Sequence, residues 1–523
     1  MLASLELPED RGLAAFCCAP ENFNVDCSTR LKRLKIVWEE RMLRNCWLRW
    51  RIAKIVIESI VSCAVGVVGG VNVRGAAAQP QPQLSVAEPG SADIIRAAEQ
   101  IPATGEILPG SEALDRLDGV MKQILARHQV PGAGVAITYG GKLVVARGYG
   151  WADIEAHDPA QPTTLFGLAS VSKPITGITI LKLVEQGRLR LDDRVFQFLG
   201  ELRAPPGRML DPRLRDVTVR MLLEHAGGWD RTKSSDPTSF GQKVHDELNV
   251  PLPITIDQLI YYMNGQPLDF MPGTEQRYSN YGFAILGRVI EKVTGQPYEQ
   301  YVEQNTLAPM GIRGIKMSSI RSPDKQATYL PNEAKRYIAG TTKPLEGGHI
   351  LNSAPAGGWC GSAVALARFL TAIDGSRTGK TFLNAATMQQ MLARPEPPLM
   401  IRKNGAWFGL GWDAVRVMPD WPFDRTSSDA VSGRAGEHEI ENLAYGKDGG
   451  LPGVSTWIQH LPGDIDWVVL FNGSKRKVTR AEDIEHPTDA PEGNALQDAQ
   501  KEVIQLLRSV DSWPQGDLFE KYR

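Results

Sequence analysis

Leu165-Phe166-Gly167-Leu168-Ala169-Ser170-Val171-Ser172-Lys173-Pro174-Ile175-Thr176-Gly177-Ile178 runs from a short apolar segment into a helical pattern. Ile175, Ile178, Leu181, Leu183 and Val184 recur at helical spacing. Pro174 falls in the first turn of that helix, where a missing N–H costs least. Ser170 therefore sits at or near a helix N-terminus. Lys173, one turn on and on the same face, can bring its amine to the Ser170 hydroxyl. A serine is a weak nucleophile until a neighbour takes its proton, and a partly desolvated lysine can do so. Free N–H groups at a helix start also favour developing negative charge.

Ser-x-x-Lys alone says little. It recurs at Ser322/Lys325, where Pro323 and Asp324 read as loop, and at Ser474/Lys477, a basic turn after an apolar strand. The context of Ser170 has to separate it from these.

The chain has 523 residues and a formal net charge of −2, with no long block of like charge. That is enough for one large domain or two to three ordinary ones, and it offers no nucleic-acid surface. No repeat of solenoid or propeller period is present. Residues 1–78 stand apart and read as a leader. They hold Cys17, Cys18, Cys27, Cys46 and Cys63, five of the six cysteines. Arg44, Arg49 and Arg51 precede the largely apolar run Ile55–Val71, and Ala76-Ala77-Ala78 follows. Basic, apolar, then Ala-x-Ala is the order of a secretory signal peptide, with Met42 a more ordinary start than Met1. Export to the periplasm or the exterior is expected, with Gln79 opening the mature chain. The alternative is membrane association through an uncleaved anchor, which Lys54 and Glu58 weaken. Residues 79–110 read as a Pro- and Gly-containing linker with a weak helix at 92–100.

From residue 111 a helix is expected to 128, with Ser111 as its cap and Leu114, Leu117, Met121, Ile124 and Leu125 on one face. A hairpin follows, Gly134–Thr138 and Leu143–Val145 around Tyr139–Lys142. Helical patterns at 176–187 and 216–226 come next, then a polar loop over a cleft at 230–253. Pro272-Gly273 leads into Tyr278-Ser279-Asn280 and a periodic helix ending at Gly295. Tyr262-Met263-Asn264 repeats that triplet, but inside an apolar helix where Tyr262 reads as packing. Residues 414–442 read as irregular. Two strand-like runs, Gly453–Gln459 and Trp467–Phe471, precede a closing amphipathic helix at 496–510. Residues 511–523 read as a tail. The fold class expected is α+β: one antiparallel sheet from both chain ends, flanked by terminal helices, with a large, mostly helical region inserted.

Tyr445-Gly446-Lys447-Asp448-Gly449-Gly450 opens the first C-terminal strand. Lys403-Asn404-Gly405 is a rival Lys-x-Gly with no strand close behind it. Ser170-x-x-Lys173, Tyr278-x-Asn280 and Lys447-x-Gly449 then form an ordered set. Taken singly, each has a structural alternative: Tyr278 as packing, Asn280 as a helix cap, Lys447 as an exposed strand-start charge. Together and in this order, the set resembles the serine β-lactamase and penicillin-binding-protein superfamily, in the branch of class C β-lactamases, DD-peptidases and family VIII carboxylesterases. The likeness runs from about residue 111 to 510 and includes the flanking Leu222–Gly228, Pro355–Gly358 and Phe408–Trp412 segments.

The resemblance implies a β-lactamase/transpeptidase-like catalytic domain over 111–510 that needs no cofactor or metal. It makes Ser170 the acylated nucleophile and gives the work of general base to Lys173 and Tyr278 together. Asn280 and Lys447 would bind substrate with Asp448 and Gly449, and the N–H groups of Ser170 and Gly450 would form the oxyanion hole. Asp448 departs from the pattern, which has Thr or Ser there to hold a substrate carboxylate. Two like charges at ~4 Å cost about 1–4 kcal/mol, or roughly ten- to a thousandfold in rate. The expected substrate is a small molecule with an ester, amide or β-lactam carbonyl, a neutral carboxylesterase-type ester fitting best. The alternatives are a class C-like β-lactamase, a D-peptidase, or an idle relative that binds cell-wall peptide or self-assembles. Gly-x-Ser-x-Gly and His-Glu-x-x-His are both absent, so neither an α/β-hydrolase elbow nor a zinc hydrolase is indicated. Oligomeric state is not encoded in any motif of the chain.

Overall fold

The computed structural model describes residues 97–318, 329–345, 353–376, 379–402, 404–418, 421, 442–474 and 494–522. The chain divides into Met1–Val86 and Ala87–Arg523, and all described residues belong to the second unit. The leader with the expected signal peptide, Ser322/Lys325, Lys403 and Lys477 lie outside the described residues.

The main sheet is antiparallel and draws on both chain ends. Its strands are β1 (Ala103–Ile107), β2 (Gly132–Tyr139), β3 (Lys142–Asp153), β4 (Ala414–Val417), β5 (Leu443–Leu451), β6 (Val454–Leu461) and β7 (Ile465–Phe471), in the order β1-β3-β2-β7-β6-β5-β4. The two-residue strand Asp158–Pro159 pairs with β3 off this path. The β2–β3 turn is tight because Gly140 and Gly141 both take positive φ, 54° and 72°, which suits the twist of a two-residue hairpin. Chain ends meet where β2 pairs with β7, Val135 opposite Val469. That long-range pairing realises the α+β arrangement expected from the sequence.

Period-two alternation separates two cores. Val135, Ile137, Trp457, Trp467, Val469 and Phe471 face helices α1 (Leu117–His128) and α5 (Ala495–Arg508), whose Met121, Ile124, Leu125, Val503 and Leu507 cover them. His128, Arg127 and Asp498 tie the two helices together, with His128 Nε2 2.7 Å from Asp498 Oδ2. Ala136, Ile458, Val468 and Leu470 face the opposite core, shared with the inserted helical region. That region includes the helices α2 (Ser172–Glu185), α3 (Asn280–Thr294) and α4 (Ala363–Asp374), of which α2 and α3 carry the site. α2 is buried on nearly every side, from Lys173 to Leu183, so it is a central helix and not a surface one.

Three expectations are corrected. Residues 103–107 are not linker: they pair with β3 from Ala103/Tyr149 to Ile107/Val145 as the edge strand β1. Such a short strand lacks apolar alternation, since its register is supplied by β3. Residues 414–417 are β4, paired with Leu443–Gly446. Residues 511–522 are not a loose tail. Trp513 stacks on Tyr139 at 4.5 Å, Asp517 Oδ1 accepts from the Leu143 N–H at 3.1 Å, and Phe519 is fully buried.

Candidate active site

Ser170 lies in the 3-10 turn Ala169–Val171, directly before α2. Pro174 occupies the first turn of α2, where its missing N–H is harmless. Ala169 takes φ +47°, a left-handed conformation that a residue with a Cβ adopts at a cost. That turn is clamped from the sheet side. Thr456 on β6 donates its hydroxyl to Leu168 O at 3.0 Å. A Cβ on Gly449 would stand 2.2 Å from Leu168 O and 3.2 Å from Ser170 N, so only glycine lets β5 come this close.

The three motifs converge here. Ser170 Oγ is 2.5 Å from Tyr278 Oη and 3.1 Å from Lys173 Nζ. Lys173 also donates to Asn280 Oδ1 at 2.7 Å and to Ala356 O at 2.9 Å. Tyr278 is held in the chain just ahead of α3. Ser279 is the cap of that helix, accepting from the Gly282 N–H at 3.1 Å, which leaves the Asn280 side chain free of capping duty. Tyr262 is elsewhere, buried, with its hydroxyl on Glu247 at 3.0 Å. Ser474, the one competitor serine among the described residues, accepts from the Gly453 N–H at 3.1 Å, a structural role.

β4 pairs with β5 only as far as Gly446. From Lys447 to Leu451 the outer edge of β5 has no strand partner among the described residues, and Gly449 and Gly450 lie on that open edge beside the serine turn. An extended acyl group can lie along such an edge.

Lys447 and Asp448 are placed in a way their spacing did not foretell. The Lys447 ammonium is 2.6 Å from Asp413 Oδ2 and 2.9 Å from Asp448 Oδ1, with 1 % of its side chain exposed. Asp448 is itself mostly buried, and the ion pair with Lys447 matches part of its charge. One cation between two carboxylates leaves that three-residue cluster net negative. Asp413 then meets the His225 ring, Nε2 to Oδ1 at 3.6 Å. His225 accepts the Ser279 N–H on Nδ1 at 3.2 Å, which puts its own proton on Nε2, and its ring lies 4.6 Å from that of Tyr278. His225 and Asp413 escaped sequence reasoning, as did Arg231, whose guanidinium lies 4.7 Å over the Tyr278 ring. The available signals were indirect: a histidine before Gly227-Gly228, held at φ +59°, and an aspartate after the glycine-bearing Phe408–Trp412 segment.

Burial decides the protonation states. It is the largest influence holding the Lys173 amine well below the ordinary lysine value, and the Lys447 charge adds to it, against Asp413 and Asp236. Burial pushes the Tyr278 phenol up to about 12, although Lys447 pulls the other way. Burial alone would lower Lys447, but Asp413 and then Asp448 outweigh it and keep it charged. Asp413 stays ionised because Lys447 and His225 overcome its desolvation. His225, lowered by burial to about 4, is neutral at pH 7. A neutral phenol and a lysine amine biased by burial towards its neutral form thus share the Ser170 hydroxyl. Among the described residues no group of three His, Cys, Asp or Glu side chains has the arrangement of a metal site.

A family model described as Beta-lactamase matches residues 117–490. Esterase EstB of Burkholderia gladioli is 31 % identical over 264 residues, 48 % of this chain and 64 % of the esterase, so the match spans under two thirds of that relative. Among solved structures, a class C β-lactamase is similar with a TM-score of 0.55 and 20 % identity, over 77 % of this chain and 97 % of that one. EstCE1, a hydrolase with promiscuous acyltransferase activity, gives a TM-score of 0.52 and 23 % identity, over 71 % of this chain and 97 % of that one. At these identities the structures show the fold alone.

Proposed function

We propose, from the premise that the chain belongs to the β-lactamase family, that it is a serine hydrolase that acylates Ser170 with the carbonyl of a neutral, carboxylesterase-type ester. The observation that carries this reading is the position of Ser170 Oγ, 2.5 Å from Tyr278 Oη and 3.1 Å from Lys173 Nζ, beside a strand edge that is unpaired among the described residues. Ser170 Oγ attacks the carbonyl carbon, and its proton passes to the Lys173–Tyr278 pair. The oxyanion is held by the N–H groups of Ser170 and Gly450. Collapse expels the alkoxide, which takes the proton back. Water, deprotonated by the same pair, then attacks the acyl-enzyme and frees Ser170. Asn280 keeps Lys173 oriented, and Lys447 supplies positive charge next to Tyr278.

The preference for a neutral ester rests on Asp413 and Asp448 flanking Lys447, which disfavours an incoming carboxylate. The likeness to a protein named as an esterase supports it. A β-lactamase or D-peptidase activity is the second reading, and Arg231 over the Tyr278 ring favours it by offering a cation to a substrate carboxylate. Export belongs to the same proposal and rests on the residue pattern of 43–78. N-terminal sequencing of the protein from its host tests it, with Gln79 the expected start.

The experiment is intact-mass analysis after a fluorophosphonate probe and after a penicillin, with turnover measured on nitrophenyl esters, a chromogenic cephalosporin and D-amino-acid amides. One fluorophosphonate adduct on wild type, none on Ser170→Ala, and fastest turnover of the neutral ester are expected. Unlabelled wild type, or turnover retained in Ser170→Ala, overturns the reading.

A further inference from the structure

The geometry points to Asp236 as a positioning residue that aims the Lys173 lone pair at Ser170, acting through Asn280, and this inference rests on the hydrolase reading above. Lys173 Nζ has three positions besides its bond to Cε, and three neighbours fill them: Ala356 O at 2.9 Å, Asn280 Oδ1 at 2.7 Å and Ser170 Oγ at 3.1 Å. The first two are carbonyl oxygens, which can only accept. They take two N–H bonds. The third position faces Ser170, and in the neutral amine it is the lone pair that receives the serine proton.

This holds only while Asn280 turns its oxygen towards Lys173. A carboxamide is nearly symmetric in shape, and its neighbours decide which end points where. If the Asn280 amide turned over, its NH2 would face Lys173 and compete for the lone pair. Asp236 prevents that. Its Oδ2 lies 2.6 Å from Asn280 Nδ2, and a carboxylate accepts but does not donate. Asp236 is held in turn. Its Oδ1 accepts from the Thr238 N–H at 3.0 Å and the Thr238 hydroxyl at 2.8 Å, capping the turn Pro237–Ser239. A loop residue three hydrogen bonds from the serine, and two from Lys173, therefore sets the direction of the base. Nothing in Tyr278-x-Asn280 or Ser170-x-x-Lys173 shows this, because Asp236 lies outside both motifs, in a segment expected to be loop that instead carries the turn Pro237–Ser239 and a helix at Gly241–Leu248.

The test is a double-mutant cycle of Asp236→Asn with Asn280→Ala, read as single-turnover acylation by a fluorophosphonate and as kcat and KM on a neutral nitrophenyl ester. Asp236→Asn has a single oxygen: kept on the Thr238 cap, it leaves NH2 facing Asn280, and turned to Asn280 it gives up the cap. At least a tenfold loss is expected in acylation and kcat, with KM within about threefold. The acid limb of kcat/KM should move to lower pH, because a negative charge near Lys173 is gone. In the Asn280→Ala background the same change should cost less than about twofold. Asp236→Ser, which also caps but is too short to reach Asn280, should repeat the loss and guards against one variant that fails to fold. An equal loss in both backgrounds, or Asp236→Asn with wild-type kcat and an unmoved acid limb, overturns the assignment. Labelling of wild-type Ser170, measured first, separates the two readings. Its absence overturns the hydrolase reading and this one with it, whereas a labelled wild type with a background-independent loss overturns the role of Asp236 alone.

Discussion

Asp413 Oδ2 stands 2.6 Å from Lys447 Nζ, and both side chains are withdrawn from solvent. Removing one member of a buried pair costs up to about 3–5 kcal/mol, an upper bound here because Asp448 remains on Lys447 when Asp413 is lost. Asp413→Leu should therefore lose stability on that scale, and adding Lys447→Met should recover part of it without recovering activity. Urea unfolding of the three variants is the measurement. Full recovery of turnover in the double variant would mean that Lys447 has no role in catalysis.

Tyr278→Phe removes one hydroxyl, the group 2.5 Å from Ser170 Oγ. A fall in kcat of about a hundredfold or more is expected from losing a participant in proton transfer, with little change in melting temperature. Tyr262→Phe removes only the hydrogen bond to Glu247 and should leave kcat within about twofold. Reversed effects would reassign the base.

The pH dependence follows from Lys173. Burial lowers its value, and the reactive form is the neutral amine, so kcat/KM should rise with pH and level off well below the ordinary lysine range. With Tyr278 pushed up to about 12, no alkaline limb from the phenol is expected at mildly alkaline pH. An acid limb near 10 in a kcat/KM profile on a neutral ester would show that Lys173 is not desolvated.

His225 links stability to acid. Its value is about 4 in the folded chain, against 6.5 when unfolded. The unfolded chain therefore takes up a proton first as pH falls. The contribution is intact above pH 6.5 and lost on the way down to about 4, by roughly 3 kcal/mol. His225→Asn, tolerated at positive φ, should be less stable at pH 7 but should lack this component of the acid loss. Denaturant midpoints at pH 7 and pH 4.5 would reveal parallel losses if His225 were not responsible.

Asp448→Thr removes one of the two carboxylates on Lys447 and supplies a hydroxyl. Acylation by a penicillin should rise by about tenfold or more relative to a neutral ester, the machinery at Ser170, Lys173 and Tyr278 being untouched. Stopped-flow acylation rates on both substrates decide it. An unchanged ratio would mean that the Asp448 charge is spent within the ion pair and does not reach the substrate.

What the sequence determined by itself is what depends on near neighbours along the chain. Lys173 meets Ser170 because three residues make one helical turn, and Pro174 and the apolar run announce the helix. The two hairpins and the terminal helices were legible from alternation and periodicity, and with them the sheet built from both ends. The order of Tyr278 and Lys447 after Ser170 carried the family resemblance. Only the tertiary structure decided which groups surround that serine. Asp413, His225 and Asp236 come from three loops, and each is a single polar residue with no periodic partner, so no local pattern marks it. The same holds for β1 and the segment around Phe519. Their pairing energy comes from β3 and the packed core, which a short stretch of sequence does not display. The direction of the proton shift was likewise decided by burial. Lysine and tyrosine start from similar values in water, and desolvation drives one down and the other up.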